Sequence, residues 1–365
     1  MKTWKAITAG GVVILAVALL AAALLGAPAG ASSTSSIPKA RAALAALLKR
    51  PTKIPVSVRV SKPIPRGKTI DFVVCGVPEC TVLVAPLQAA AAKLGWTIVP
   101  VPGGLTPETI LNAWDQIVQN HPDGVLATGF PEVLFTNDLT KLQAAHIPVV
   151  DGFVTDPVGN GIVAIVNGTS TYIHNGAALA DYVLGKNGTA TDALFVGGTT
   201  FPASKFEESA FLKEYKKLCS SCKSYTVDEP ATAIGAALTS DVIATLTRHR
   251  DINFVVLSQA SMASGLPQAM KTAGLKAQIV VNTPDTTTVQ YLGQGLISGI
   301  MVTPNLDMMP QMIDALARTF VGDSVKPDER PGGLWVATPS KASWLNPPYH
   351  LVPNYLYQFA KLWGK

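Results

Sequence analysis

Charge, histidine and cysteine are all scarce in this chain, and each scarcity removes a class of function. Only 15% of the 365 residues are charged, and 29 Lys and Arg against 24 Asp and Glu leave a formal net charge of +5. The cations are spread out with no long basic tract. No nucleic-acid partner is therefore expected, because phosphate binding needs Lys and Arg clustered on one face. The five histidines, His121, His146, His174, His249 and His350, are scattered. No H-x-x-H or HExxH spacing occurs among them, so no metal site and no cofactor are expected. Neither GVPEC nor GGTTFP is followed by Gly-Lys-Ser/Thr, which excludes both as phosphate loops. No Ser-His-Asp constellation falls on the loops considered below, so the chain does not read as an enzyme.

What is present begins at the N-terminus. Lys2 and Lys5 precede an apolar run from Ile7 to Leu25, and Ala29-Gly30-Ala31 forms an A-x-A site before Ser32. That order of charged, apolar and small residues is a secretory signal. The apolar run is long enough that an uncleaved membrane anchor is the alternative. No cysteine follows it, which argues against a lipid-modified N-terminal Cys. Residues 1–31 thus read as a signal peptide or anchor, with the rest exported to the extracellular face of the membrane or the cell envelope. In that compartment four cysteines read as two disulfides. More than 300 residues remain, enough for two domains.

Residues 32–66 read as a Ser/Pro-rich linker with a short helix, ARAALAALL, and an extended Pro-containing piece that spaces the body from the membrane or wall. From Lys68 a rhythm sets in. The β-branched run TIDFVV is followed by the Ala-rich helix VLVAPLQAAAAKL, closed by Gly95, and then by the strand WTIVPV. In LTPETILNAWDQIVQN, Thr106 caps a helix, Pro107 takes its first position, and Ile110, Trp114, Ile117 and Val118 form its apolar face. Strands at GVLATG, IPVVDGF and GIVAIVN complete a first set. A second runs through ALFVGG, SYTVD, NFVVLS, QIVVN and ISGIMV, with helices at 173–185, 205–218, 233–248, 262–273 and 308–320. Apolar strands alternating with helices in two sets predict an α/β fold of two doubly wound parallel-sheet lobes.

In such sheets ligands bind outside the carboxyl ends of the strands. The loops that matter therefore follow strands: CGVPEC, GFPEV, DGFVTD, GTTFPASKF, SQASM and NTPDTTT. The segments GKTIDFVV, LQAAAAKLGWTIV, PDGVLATGF, LTKLQAAHIPVVD and MASGLPQAMKTAGLKAQIVV, in that order and spacing, make the chain resemble the type I periplasmic-binding-protein family, in its sugar-type branch serving ABC importers. The resemblance runs from about Gly67 to Arg318. It implies two lobes joined by three crossovers, near Asn167 to Tyr172, near Thr303 and near Trp335, closing on a ligand by hinge motion. Lobe I would comprise 67–169 plus 304–334, and lobe II 170–303 plus 335–365. The implied partners are a small-molecule ligand and an ABC permease, with the protein a monomer. A repressor of the same fold is excluded by the signal and by the lack of a helix-turn-helix.

The chain departs from the family where sugars are gripped. Members usually carry an Asp-Arg pair after the fourth strand, an aromatic pair after the first, and an Arg after the first strand of the second lobe. Here Asp151 is followed by Gly152 and Phe153, the aromatic pair is replaced by CGVPEC with Glu79, and the second lobe offers Phe201 and Lys205 but no Arg. Gln259 stands where Asn is usual, and Asn282 and Asp285 fall near the usual Asp. Adding Phe130 from its cleft loop and Trp335 from the third crossover gives the candidate ligand contacts. The reduced charge and the phenylalanines make a binder of an apolar or aromatic small molecule the alternative ligand class.

The cysteines fall at opposite poles of such a fold. Cys75 and Cys80 follow a strand, whereas Cys219 and Cys222 end a helix, so the four cannot share one zinc. Two local disulfides, Cys75–Cys80 and Cys219–Cys222, are expected. A thioredoxin-like CxxC sits at a helix N-terminus, where the dipole lowers the thiol pKa. A secreted oxidoreductase would need Cys219 exposed. The remaining rival to transport is a sensor that presents its liganded lobes to a membrane receptor.

Overall fold

The computed structural model describes residues 36–365, so the segment 1–31 read as a signal or anchor lies outside the described residues. After a leading helix α1 (Ile37–Leu47), the first lobe alternates β1 (Thr69–Cys75), α2 (Pro78–Thr81), α3 (Val84–Leu94), β2 (Thr97–Gly104), α4 (Pro107–Asn120), β3 (Gly124–Thr128), α5 (Thr136–Ala144), β4 (Val149–Gly152) and β5 (Ile162–Val166). Its sheet is parallel, in the order β2-β1-β3-β4-β5. All of β1 beyond Thr69 is buried, as a strand covered by helices on both faces must be. Helix α4 starts as its sequence dictates: Thr106 and Thr109 form a reciprocal capping box with Pro107 at the first position. Helix α3 stops at Gly95, whose φ of 72° is the left-handed cap that glycine adopts at little cost.

The chain then crosses at Asn167 and Gly168 into α6 (Thr169–Asn187). The second lobe follows with β6 (Ala193–Gly198), α7 (Pro202–Leu218), β7 (Ser224–Glu229), α8 (Ala236–Arg248), β8 (Phe254–Leu257), α9 (Leu266–Thr272), β9 (Gln278–Asn282), α10 (Thr286–Gly293) and β10 (Gly299–Val302). Next, α11 (Met308–Val321) returns to the first lobe, where Met312 and Leu316 meet Gly152 and Gly124. Finally β11 (Trp335–Ala337) rejoins the second sheet, antiparallel to β10, giving the order β11-β10-β9-β8-β6-β7. This is the doubly wound two-lobed α/β fold, with three passages between lobes at 167–168, 303–307 and 322–334.

Helix α7 begins at Pro202, three residues earlier than expected, because proline at the first turn costs no hydrogen bond and Phe201 is extended before it. Two glycines let α6 lie close to its neighbours. A Cβ at Gly176 would sit 2.0 Å from the Glu207 carbonyl oxygen of α7, and one at Gly185 would sit 2.7 Å from the Ala40 carbonyl oxygen of α1.

The composition of 32–66 suggests a free spacer, and from residue 36 on the chain is instead docked. Ile37 and Ala40 of α1 are buried against α6. Arg50 donates to the carbonyls of His350 and Leu351, at 2.6 and 2.9 Å. Val56 and Ile64 enter the core of the first lobe, and Val60 N donates to the Leu362 carbonyl. Prolines keep this piece extended, but its alternate apolar side chains still find the body. The tail shows a second difference from expectation. Phe359 and Trp363, in and just after α12 (Tyr355–Leu362), enter the core of the first lobe, whereas Leu345, Leu351 and Val352 pack on the second.

Candidate functional site

The strand ends of both lobes converge on a cavity of about 110 Å³. The first lobe contributes the Cys75–Cys80 disulfide after β1, Thr128 and Gly129 at the end of β3, and Phe153 after β4. Phe153 holds a φ of 61°, an uncommon conformation for a side chain of that size and of the kind that accumulates at ligand sites. The second lobe contributes the N-cap and first two turns of α7 through Phe201, Ser204 and Glu207, and the strand ends through Ser258, Gln259, Asn282 and Thr283. Asn167, Tyr172 and Asn175, at the first crossover and the start of α6, close the wall. The lobes are shut on one another, since the Phe201 ring lies 6.0 Å from that of Phe130 and contacts Gly129.

The chemistry of this chamber is uncharged hydrogen bonding. Among the described residues that line it, none is a Lys or Arg. The Asn282 amide donates to Glu207 Oε1 at 2.8 Å. Burial pushes the Glu207 carboxyl up to about 8, against the smaller downward pull of that amide, so near neutral pH it is largely a neutral acid. Burial, reinforced by Glu207 and Asp151, raises the Tyr172 phenol well above its ordinary range, so it remains a neutral hydroxyl. The Oδ1 atoms of Asn167, Asn175 and Asn282 are buried without a protein donor. A buried acceptor left unmatched costs about 1–3 kcal/mol, so three around one cavity call for donors from a guest.

The structure brings Phe153, Phe201, Gln259 and Asn282 to this cavity. It places the other candidates elsewhere, and of the Glu79 side chain nothing is described. Phe130 is buried behind Gly129 against Phe201. Asp151 is fully buried, outside the cavity lining, accepts from Gly152 N at 2.7 Å, and is pushed well above the carboxylate range by burial. Lys205 points out of the cleft, bridging Glu208 at 2.8 Å and Asp228 at 2.7 Å. Asp285 caps α10 by accepting from Thr288 N and Oγ1 at 2.6 and 2.7 Å. Trp335 is core, paired in β11, stacked on Trp344 and covered by the Arg50 guanidinium 5.2 Å from its ring. Sequence reasoning missed Asn167, Tyr172, Asn175, Ser204 and Glu207. Tyr172, Asn175 and Glu207 sit inside helices α6 and α7, beyond the loops that directly follow strands, whereas Ser204 lies within GTTFPASKF and carries no signal that sets it apart from a helix-start serine.

Both cysteine pairs are disulfides. Cys219 and Cys222 are buried in the α6–α7 core at the C-terminus of α7, the wrong exposure and the wrong helix end for an attacking thiolate.

Two parallel-sheet lobes, joined by three passages and shut over a polar chamber at their strand ends, define a ligand-binding clamshell. A family model described as a periplasmic binding protein domain matches residues 82–324, well over half of the chain, and the chain belongs to that family. Solved structures agree on the fold. GanP, a glucose-galactose binding protein from Geobacillus stearothermophilus, superposes with a TM-score of 0.65 at 19% identity, covering 76% of this chain and 99% of its own. An ABC transporter solute-binding protein from Actinobacillus succinogenes with bound D-allose gives 0.66 at 14% identity, covering 77% and 99%. A carbohydrate transporter from Acidothermus cellulolyticus in complex with myo-inositol gives 0.63 at 16%, covering 76% and 96%. No curated relative matches the sequence.

Proposed function

We propose that this protein is an exported, monomeric solute-binding protein that captures an uncharged, hydroxyl-rich small molecule between its lobes for delivery to an ABC permease. One observation carries the reading: an interlobe chamber lined by amides, hydroxyls and the buried Glu207 carboxyl, with no Lys or Arg, three of whose acceptors have no protein donor. Sugar or polyol hydroxyls supply such donors, and D-allose and myo-inositol, bound by the two neighbours, are of this kind. Phe153, Phe201 and the disulfide would face the apolar side of a ring. The role is capture and release, with hinge closure rather than covalent chemistry as the working step.

The test is a thermal-shift screen of the protein against sugars and polyols on one side and aromatic metabolites on the other. Ligand at a hundred times its Kd adds about 2.7 kcal/mol of stability. A polyol hit supports the reading. Hits confined to charged or purely aromatic compounds sink it. Silence on both panels moves the assignment to a receptor-presenting sensor with a larger partner.

A further inference from the structure

The chamber has a door. Leu83, Thr283, Thr303 and Asn305 line both it and a second, wider cavity of about 610 Å³. The chemistry changes at that boundary. Inside, Asn167, Tyr172, Asn175, Glu207, Gln259 and Asn282 set hydrogen-bonding groups against an apolar side made by Phe153, Phe201 and the disulfide. Outside, Val82, Pro284, Leu306, Pro347, Pro348 and Tyr349 predominate, beside Asp285 and the hydroxyls of Thr286 and Thr287. Val82, at the end of α2, is 57% exposed, an apolar side chain left at the lip of the cleft.

The far wall is held in place. Asp307 fixes its backbone by pairing with His350 Nδ1 at 3.0 Å and accepting from Val352 N at 2.6 Å, and the Tyr349 hydroxyl reaches Thr286 Oγ1 at 3.4 Å. No Lys or Arg lines this groove among the described residues, and its one acid, Asp285, is committed to capping α10. An ionic group would find no partner here, whereas an apolar one would be taken out of water on both sides.

We infer that the cleft accepts a ligand in two chemical parts: an uncharged hydrogen-bonding head in the chamber, and an alkyl or aryl extension laid between Val82–Leu83 and Pro347–Tyr349, as in a hydrophobic glycoside. The inference rests on reading the cleft as a solute site, and it names the class of solute. It also accounts for the small chamber: the lobes close on the head alone while the extension leaves through the groove.

The experiment is calorimetry of the full chain with D-glucose, D-galactose and D-allose, each as its methyl, phenyl and hexyl glycoside. The neutral fluorophore N-phenyl-1-naphthylamine serves as a probe of the groove alone. At least one phenyl or hexyl glycoside is expected to bind about tenfold or more tighter than its methyl counterpart. The surplus should vanish in Val82→Glu and in Thr286→Glu, with methyl-glycoside affinity unchanged. Both positions are exposed, and an acid in the first turn of α10 favours its helix, so neither variant threatens folding. Methyl glycosides binding as tightly as extended ones, with both variants silent, would overturn the inference and leave the proposed function standing. Fluorophore binding that Val82→Glu abolishes, with no glycoside bound, supports the groove and overturns the sugar-like head. Neither fluorophore nor glycoside bound overturns both.

Discussion

Two regions of this molecule bury polar side chains, and they treat them in opposite ways. On α11, Arg318 lies 2.6 Å from Asp314 and 3.1 Å from Asp328, all three inaccessible to solvent. Trp363 Nε1 donates to Asp314 at 2.6 Å, and the guanidinium also donates to the Val58 carbonyl. Burial, with Asp314 beside it, pushes Asp328 up to about 10, so the cluster is close to neutral as one proton, one cation and two carboxylates. It ties the docked N-terminal strap, α11, the loop at 326–329 and the C-terminal helix into one knot. The interlobe chamber instead holds amides, hydroxyls and a neutral acid whose hydrogen-bonding capacity exceeds what the protein supplies. In the knot the charges are set against one another, although the Asp328 carboxyl makes no hydrogen bond of its own, whereas the unmatched acceptors of the chamber are neutral amides that line a cavity.

Breaking the knot should have the largest effect. Arg318→Met leaves the buried Asp314–Asp328 pair and its shared proton without a cation, a loss of about 3–5 kcal/mol. Chemical denaturation should show it, while the affinity of the folded fraction for its ligand is unchanged. A loss below about 1 kcal/mol would mean that water reaches the cluster, and the contrast between the two regions would dissolve.

The chamber responds to pH through Glu207. Its folded value is raised to about 8 from an ordinary 4.5, so the fold favours the protonated form. That contribution is fully present below about 4.5 and is lost as pH rises to about 8, at ~1.4 kcal/mol for each pH unit between the two values. Stability measured at intervals from pH 5 to 8 should therefore fall in the wild type by an amount on the order of a few kcal/mol, and stay flatter in Glu207→Gln. Parallel slopes in the two proteins would show that Glu207 is ionised in the closed cleft after all.

The same contrast explains what could be read from the sequence. The strands of both lobes, the Thr106 cap and the Gly95 stop follow from local rules that tertiary structure did not override. The loops after strands lead to Gln259 and Asn282, and both line the interlobe cavity. Asp285 and Lys205 were drawn in by the same rule, because a helix cap or a surface ion pair uses the same residue types as a ligand contact. Tyr172, Asn175 and Glu207 escaped it, since their reach into the cleft depends on how closely α6 and α7 pack at Gly176. The docked strap escaped too. Val56 and Ile64 were visible in PVSVRVSKPIP, but proline-rich composition says how a chain extends, not what it lies against.

The two disulfides give a smaller test of the same division. Each closes a very short loop, with Cα atoms 5.5 Å apart for Cys75–Cys80 and 5.4 Å for Cys219–Cys222, so removing either should cost about 2 kcal/mol or less. Their effects on binding should part. Cys75→Ser with Cys80→Ser loosens a wall of the chamber and weakens ligand, whereas Cys219→Ser with Cys222→Ser, at the far pole, leaves calorimetric affinity unchanged. Equal binding losses would mean that lobe stability rather than the cleft wall controls affinity.

The smallest change in stability belongs to Asn175→Leu, and it bears most directly on what the chamber is for. The Asn175 side chain is buried with an oxygen that no protein donor meets. Replacing it with an apolar group of similar size removes an unmet acceptor, which is neutral or stabilising by about 0–1 kcal/mol. A residue kept for the fold would show a loss. If Asn175 is kept for a guest, unfolding experiments will find the variant as stable as the wild type or slightly more so. The polyol found in the screen will then bind about ten- to a hundredfold more weakly, the 1.4–2.8 kcal/mol of one or two lost hydrogen bonds. Stability and affinity falling together would instead make the chamber a poorly satisfied core, and the difference between the two regions would be one of packing rather than of function.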